Sequence, residues 1–142
     1  MQFIKTYLDL FIFGTLGAMS FIMLWMVIER YFFYRSVDLS QFGNAEALNV
    51  ALTNNLTTIS TIGANAPYVG LLGTVLGILV TFYDLGQGGK IEPGVIMLGL
   101  AFALKATALG LVVAIPSIVF YNGLVRKVEV LTARWREVEA QS

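Results

Sequence analysis

Residues Ala66–Tyr83 read APYVGLLGTVLGILVTFY, a run that is long and apolar enough to cross a membrane but repeats small residues along its length. A second run, Pro93–Val125, has the same character and contains one charge, Lys105. Lipid tails pack as well against Leu as against Gly, so small residues at helical spacing favour close approach by another backbone, by water or by a polar side chain. The two runs therefore predict one wall of a membrane assembly built from several helices.

The composition also points to a membrane protein. The chain has 142 residues, of which 57% are hydrophobic, and its mean hydropathy is +0.77. Nine basic and nine acidic side chains cancel, which leaves no net charge to attract nucleic acid. Without Cys or His, the chain has no disulfides, thiol nucleophiles or imidazole ligands, and no metal or cofactor is expected. The apolar run after Asp9 lacks a basic lead and a small-residue cleavage site, so no cleavable signal peptide is expected.

Three apolar segments predict an all-α protein with three transmembrane helices in a single domain. We expect the helices at about 9–30, 64–84 and 93–125, a cytoplasmic segment at about 35–62, and a cytoplasmic tail at 126–142. The first apolar core, Leu10–Ile28, is long enough for a helix of roughly 28 Å.

The segments outside the spans predict short helical elements. Ser36–Gly43 is expected to form a turn in which Asp38 or Ser40 caps a helix, and Asn44–Leu56 is expected to form a short helix. The polar residues before the second span predict a helical extension outside the membrane. Apolar residues at spacings of three and four predict an amphipathic tail helix, with one face made of Val128, Leu131, Trp135 and Val138.

The basic residues predict an orientation. Lys5 and Lys90 flank one end of the spans, and six basic residues flank the other: Arg30, Arg35, Arg126, Lys127, Arg134 and Arg136. The positive-inside rule then places the 35–62 segment and the C-terminal tail in the cytoplasm, with the N-terminus and the Gly86–Gly89 turn outside. A chain this short cannot bury its polar faces alone, so an oligomer is expected.

Small, weakly polar residues share one face on each of the last two helices. At 100° per residue, the second helix aligns Ser60, Gly63, Pro67, Gly70, Thr74 and Thr81. The third aligns Ala103, Thr107 and Ala114, with Gly110 beside them and Tyr121 near the inner end. Two interpretations are open: tight helix packing with Thr hydroxyls bonded one turn back, and a pore lining in which the hydroxyls hold water or a partner's polar group. Hydroxyls at membrane depth favour the pore.

Lys105 is a membrane-embedded charge, and it lies ~18 Å along the helix from Pro93. The predicted spans contain no carboxylate to pair with it, so three states are open: a neutral Lys105, contact with water and threonines, or an acid from a partner subunit. Lys105 is ~200° from Thr107 around the helix, which favours a subunit-interface or snorkelling role over direct pore contact. Pro67 and Pro116 each remove a backbone hydrogen bond and are hinge candidates, although a static kink is commoner.

The two small-residue helices resemble a known family. Residues 61–78, TIGANAPYVGLLGTVLGI, and residues 104–116, LKATALGLVVAIP, with Tyr121-Asn122 beyond, are similar in order and spacing to the signatures of the ExbB/TolQ/MotA proton-channel family. The similarity is to the ExbB branch, in a form with a short cytoplasmic loop. It implies a ring of five copies in the bacterial inner membrane around an ExbD-like single-span protein that carries a membrane Asp. It also implies that proton flow energises a TonB-like protein for import of siderophores, haem or cobalamin.

The resemblance assigns roles to individual residues. The family's two pore threonines correspond to Thr74 and Thr107, and the predicted proton pathway around them includes Gly70, Thr81, Ala103 and Ala114. Several members have an acidic residue where this chain has Phe102, so the proton-carrying acid is expected from the partner. Lys105 is then a candidate for balancing that acid.

Other functions stay open at this stage. A TolQ-like subunit would act with TolR and TolA in envelope integrity, and the loop composition does not distinguish it. A flagellar MotA is disfavoured because it needs four spans and a large cytoplasmic domain. A passive membrane scaffold would conduct no protons with any partner. An enzyme is least favoured, because the spans offer no acid–base pair and no catalytic residue.

Overall fold

The computed structural model describes residues 2–88 and 92–141, and the regular structure within these ranges is helical. Helix α1 spans Gln2–Ser36, α2 Ala45–Thr53, α3 Leu56–Gly86 and α4 Pro93–Gln141, with a 3-10 turn at Leu39–Gln41 between α1 and α2. Helices α1, α3 and α4 are each long and apolar enough to cross a membrane. The prediction of an all-α chain with three apolar helices of spanning length is confirmed.

The first helix extends beyond the predicted span at both ends. It begins at Gln2 instead of near residue 9, so Lys5 and Asp9 lie inside the helix. It also continues past residue 30 to Ser36. The charges bound an apolar run in the sequence, but the backbone hydrogen bonds of α1 continue through them. The third span and the tail likewise form one helix, Pro93–Gln141.

Two side-chain caps organise the connection after α1. Asp38 accepts a hydrogen bond from the Ser40 backbone N–H at 3.0 Å and begins the 3-10 turn, as predicted. Asn44 accepts one from the Ala47 N–H at 2.7 Å and begins α2. These bonds satisfy donors that the first turn of a helix leaves free.

The prediction that the short helix ends at Leu56 is wrong. Helix α2 stops at Thr53, because Asn55 takes the left-handed conformation with φ 71 and turns the chain before Leu56 begins α3. The polar residues before the second span are therefore divided between two helices. At the other end of α3, the predicted Gly86–Gly89 turn is described only to Gly88, and Lys90 lies outside the described residues.

Bulky side chains form a core where α2 and α3 meet the last part of α4. We call this region the Trp135 core; its buried members are Leu48, Leu52, Leu56, Ile59, Val128, Leu131 and Trp135. The Trp135 Nε1–H donates to the Phe42 carbonyl oxygen at 3.0 Å. Val138 is 46% exposed, so the predicted apolar face of the tail ends at Trp135.

Along the spans, α3 and α4 approach each other through glycines. A Cβ atom at Gly70 would lie 2.6 Å from the Ala106 carbonyl oxygen, and one at Gly110 would lie 2.7 Å from the Ala66 carbonyl oxygen. Both distances are too short for a side chain, so only Gly permits this contact between backbones. We call this line of contact the α3–α4 seam. Helix α1 reaches it through the buried Ile12.

Candidate functional site

A pair of threonines forms the centre of the candidate site. Thr74 of α3 is only 8% exposed, and its hydroxyl donates to the Ala103 carbonyl oxygen of α4 at 2.7 Å. The Thr107 hydroxyl of α4 is hydrogen-bonded to the same Thr74 oxygen. The Gly70 carbonyl lies 3.4 Å from it, a weaker contact within α3. Side chains from two helices thus share one hydrogen-bonded group in an otherwise apolar region.

The hydrogen-bonding capacity of the two hydroxyls determines which threonine donates and which accepts. A hydroxyl has one proton to donate and two lone pairs to accept. Because Thr74 donates to Ala103, it accepts the proton of Thr107, and the lone pairs of Thr107 stay available. Thr107 is half-buried, whereas Thr74 is buried. The pair therefore presents an acceptor on its accessible side, and rotation of the hydroxyls would present a donor instead.

Small residues on both helices bring the threonines together. A Cβ atom at Gly77 would lie 3.0 Å from the Ala103 Cβ, one turn from the pair towards the Asp84 end of α3. A Cβ atom at Gly99 would lie 2.7 Å from the Thr81 hydroxyl oxygen. Any larger side chain at these positions would push α3 and α4 apart and break the bond between hydroxyls. Gly77 and Gly99, which were not singled out from the sequence, thus help to position Thr74 and Thr107.

The predicted pathway residues all lie on or beside the seam. Gly70, Thr74, Ala103 and Ala114 are buried, and Thr81 and Thr107 are half-buried. The two small faces meet each other within one chain, so the tight packing that the sequence allowed is present. A passage lined by these residues needs further copies or a partner helix and stays a prediction. Pro67 and Pro116 lie inside unbroken helices, and their role as hinges also stays a prediction.

Lys105 lies on a different side of α4 from the threonine pair. Its side chain is exposed, and its Nζ lies 5.7 Å from the centre of the Phe102 ring. The Nζ of Lys5, from α1, lies 5.7 Å from the centre of the same ring. Two cations therefore share one aromatic side chain between α1 and α4, an arrangement that the sequence did not indicate.

A buried arginine is another feature that sequence reasoning missed. Arg30 is 2% exposed and makes two hydrogen bonds of 2.5 Å to Glu29. Its Nη1 donates to the Ala51 carbonyl oxygen at 2.8 Å, and the Tyr34 hydroxyl donates to the Leu52 carbonyl oxygen at 2.5 Å. Both carbonyls belong to the last turn of α2, which has no partners for them within the helix. The sequence offered only a charge at the end of an apolar run.

Ser117 was also overlooked because it is a single hydroxyl in an apolar stretch. It is fully buried, and its hydroxyl donates to the Val113 carbonyl oxygen at 2.8 Å. A Cβ atom at Gly63 would lie 3.3 Å from the Ser117 Cβ. The alignment of Gly63 with the small face of the second helix was the available signal for this contact.

Comparison with known proteins gives the family. The profile of the MotA/TolQ/ExbB proton channel family matches residues 26–137. The chain belongs to this family. It is 55% identical over 136 residues to the Biopolymer transport protein ExbB of Helicobacter pylori strain J99, which covers 96% of this chain and 94% of that protein. It is 51% identical over 141 residues to the Biopolymer transport protein ExbB of Aquifex aeolicus strain VF5, covering 99% and 95%.

Longer relatives match only in part. The Biopolymer transport protein ExbB of Salmonella typhimurium is 45% identical over 83 residues, which is 58% of this chain and 34% of that protein. The predicted resemblance to the ExbB branch is confirmed, and the chain is a multi-pass membrane protein of the MotA/TolQ/ExbB family. The family match contains Thr74, Thr107 and Lys105 but begins after Lys5 and Asp9.

Proposed function

We propose that this chain is the channel-forming subunit of an inner-membrane complex that uses the proton motive force to energise import across the outer membrane. Several copies, five in our proposal, surround the membrane helix of an ExbD-like protein, and the complex drives a TonB-like protein. In this proposal the Trp135 core end lies in the cytoplasm, and the basic residues at that end support this orientation through the positive-inside rule. Family membership and the two ExbB proteins of similar length support this proposal.

The observation that carries the proposal is the bond between Thr74 and Thr107. A transmembrane proton pathway needs a carboxyl group that is charged in one state and neutral in another. Thr107 offers lone pairs to a protonated carboxyl, and after hydroxyl rotation it offers a proton to the carboxylate. Fixed charges at this position would bind one state too tightly to release it. The threonine pair is suited to both states of an acid supplied by the partner.

The test replaces the hydroxyls while keeping the side-chain shape. Thr74→Val with Thr107→Val is expected to reduce TonB-dependent uptake to background in cells that lack the wild-type protein. Thr74→Ser with Thr107→Ser keeps both hydroxyls and is expected to restore uptake. Thr15→Val is the matched control, because Thr15 bonds only back to the Phe11 carbonyl of α1, at 2.7 Å. The mass of the purified complex shows whether each variant still assembles.

Two outcomes would contradict the proposal. Full uptake by an assembled double-Val variant would mean that the hydroxyls have no part in transport and would favour a passive scaffold. Envelope defects without any uptake defect would favour a TolQ-like role. If the double-Val variant does not assemble, the single variants Thr74→Val and Thr107→Val are tested instead, because each keeps one hydroxyl at the site.

A further inference from the structure

The contact between α1 and α4 brings charged residues together inside the spans. Lys5 of α1 and Lys105 of α4 both approach Phe102, each with its Nζ 5.7 Å from the ring centre. Lys5 also lines a cavity of about 170 Å³ together with Asp84 and Thr81 of α3 and with Gly99 of α4. A cation, Lys5, and an anion, Asp84, therefore line the same cavity at the Asp84 end of the helices.

The packing of α1 places a second carboxylate deeper in the spans. Asp9 is one helical turn beyond Lys5, and Ile12 lies within the next turn. Ile12 reaches Gly73 at the point where that glycine also meets Ala106: a Cβ atom at Gly73 would lie 2.9 Å from Ile12 and 2.8 Å from Ala106. Along the helix axes, Asp9 therefore lies between Phe102 and Ala106 of α4.

That level is inside the apolar part of α4. Residue 103 is ~15 Å from Pro93 along the helix. In the sequence, Asp9 marks the end of the predicted first span, which leaves that span without a carboxylate for Lys105. Helix α1 begins at Gln2, so Asp9 is a carboxylate within the first apolar helix and is a candidate partner for Lys105. A Lys side chain within a helix leans towards the N-terminus, which moves the Lys105 ammonium from its own level towards that of Phe102 and Asp9.

Within residues 2–88 and 92–141, neither Asp9 nor Lys105 forms an ion pair in the present side-chain conformations. The ion pairs of Arg30 with Glu29 and of Arg126 with Glu129 involve neither Asp9 nor Lys105. Asp9 is half-buried and Lys105 is exposed. An unpaired charge inside a membrane costs several kcal/mol, so a side-chain rotation that pairs Asp9 with Lys105 is favoured.

We propose that Asp9 and Lys105 form an ion pair across the contact between α1 and α4, one turn deeper than Lys5 and Asp84. We assign the partners by their height along the helices. Lys5 lines the same cavity as Asp84, so Asp9, one turn deeper, is the carboxylate assigned to Lys105. Two cations and two anions then cancel in this part of the molecule. Asp9 and Lys105 are positioning residues that hold α1 against α4 on the side away from the threonine pair. This proposal does not depend on proton transport.

Neutralising each charge and then exchanging the two gives the direct test. Asp9→Asn and Lys105→Gln are each expected to lower the amount of folded protein extracted from membranes by roughly threefold to tenfold, the lower range of couplings between residues in contact. The exchanged variant, Asp9→Lys with Lys105→Asp, is expected to recover most of that loss. Arg126→Gln is the control and should leave the amount unchanged, because it removes a charge from a pair whose side chains are 77% and 61% exposed. No recovery in the exchanged variant, with both single variants impaired, would overturn the pairing.

A second measurement locates the partner of Lys105 even if the exchanged variant fails to fold. A carbodiimide joins a carboxylate and an amine in contact, and mass spectrometry identifies the joined peptides. In the wild-type protein we expect a link between the segments that contain Asp9 and Lys105. A link between Lys5 and Asp9 would overturn the proposal. So would a link between isotope-labelled and unlabelled copies, or a link from Lys105 to an acid of another protein.

Discussion

The α3–α4 seam and the Trp135 core solve the same problem of helix packing in opposite ways. In the seam, glycines bring two backbones together and hydroxyls join them. In the Trp135 core, large apolar side chains fill the space, with Leu48, Leu52 and Ile59 fully buried. Lipid provides no hydrophobic driving force between helices, so contact in the spans depends on close packing and hydrogen bonds. In the proposed orientation the core end lies outside the membrane, where burial of apolar area stabilises the contact.

The largest expected effect comes from adding bulk to the seam. Gly110→Leu puts a side chain where a Cβ atom alone would lie 2.7 Å from the Ala66 carbonyl oxygen. The helices cannot separate without losing the bond between Thr74 and Thr107, so we expect a loss of about 3 kcal/mol or more. The midpoint of thermal unfolding in detergent measures it. Gly14→Leu is the control, since nothing lies within 4 Å of a Cβ atom there. Equal unfolding midpoints would mean that the seam tolerates bulk.

A smaller loss is expected from removing the buried cation that joins α1 to the core. Arg30→Met removes the side-chain donor of the Ala51 carbonyl oxygen and leaves Glu29 with only the Asn55 amide, at a cost of about 2 kcal/mol. Arg126→Met is the control. The Arg126–Glu129 pair has side chains that are 77% and 61% exposed, and it should contribute under about 0.5 kcal/mol. Chemical denaturation of the two variants compares them. Equal losses would show that burial of Arg30 adds nothing.

A single hydrogen bond in the Trp135 core gives a third, more modest effect. Trp135→Phe keeps an aromatic ring but removes the donor to the Phe42 carbonyl oxygen, and we expect a loss of about 1 kcal/mol. Val138→Ala changes the exposed residue of the predicted tail face and should leave stability nearly unchanged. Thermal unfolding of both variants tests whether the core ends at Trp135. A larger loss from Val138→Ala would extend the core to the end of α4.

The smallest expected effect is a pH dependence in the connection between α1 and α2. The Ser40 hydroxyl and the Ser40 backbone N–H, which both bond Asp38, lower the pKa of that carboxyl below its ordinary value of 3.8. A lowered folded pKa means that the cap stabilises the turn above pH 3.8 and loses this effect as the pH falls through the lower folded pKa. The difference in unfolding midpoint between the wild type and Asp38→Ala should therefore shrink over that range. A constant difference would mean that the charge of Asp38 has no role.

Local features of the fold were readable from residue patterns. Asp38 and Asn44 cap short helical elements because Asp and Asn side chains reach their own nearby N–H groups. The end of α2 was not readable, since Asn55 takes its left-handed conformation where the Arg30 side chain and the Asn55 amide both meet Glu29 from α1. A contact between residues far apart in sequence leaves no pattern in either segment.

The candidate site divides in the same way. Apolar length, helical spacing of small residues and the threonine motifs were enough to predict three apolar helices and the family, because these are properties of single segments. The same motifs singled out Thr74 and Thr107, whose role in transport stays a prediction. Only the packed chain showed that the two small faces meet within one chain, that Arg30 is buried, and that Lys5 and Lys105 approach the same Phe102 ring. These features depend on the register between helices, which is set by glycine contacts and side-chain volumes distributed over three helices at once.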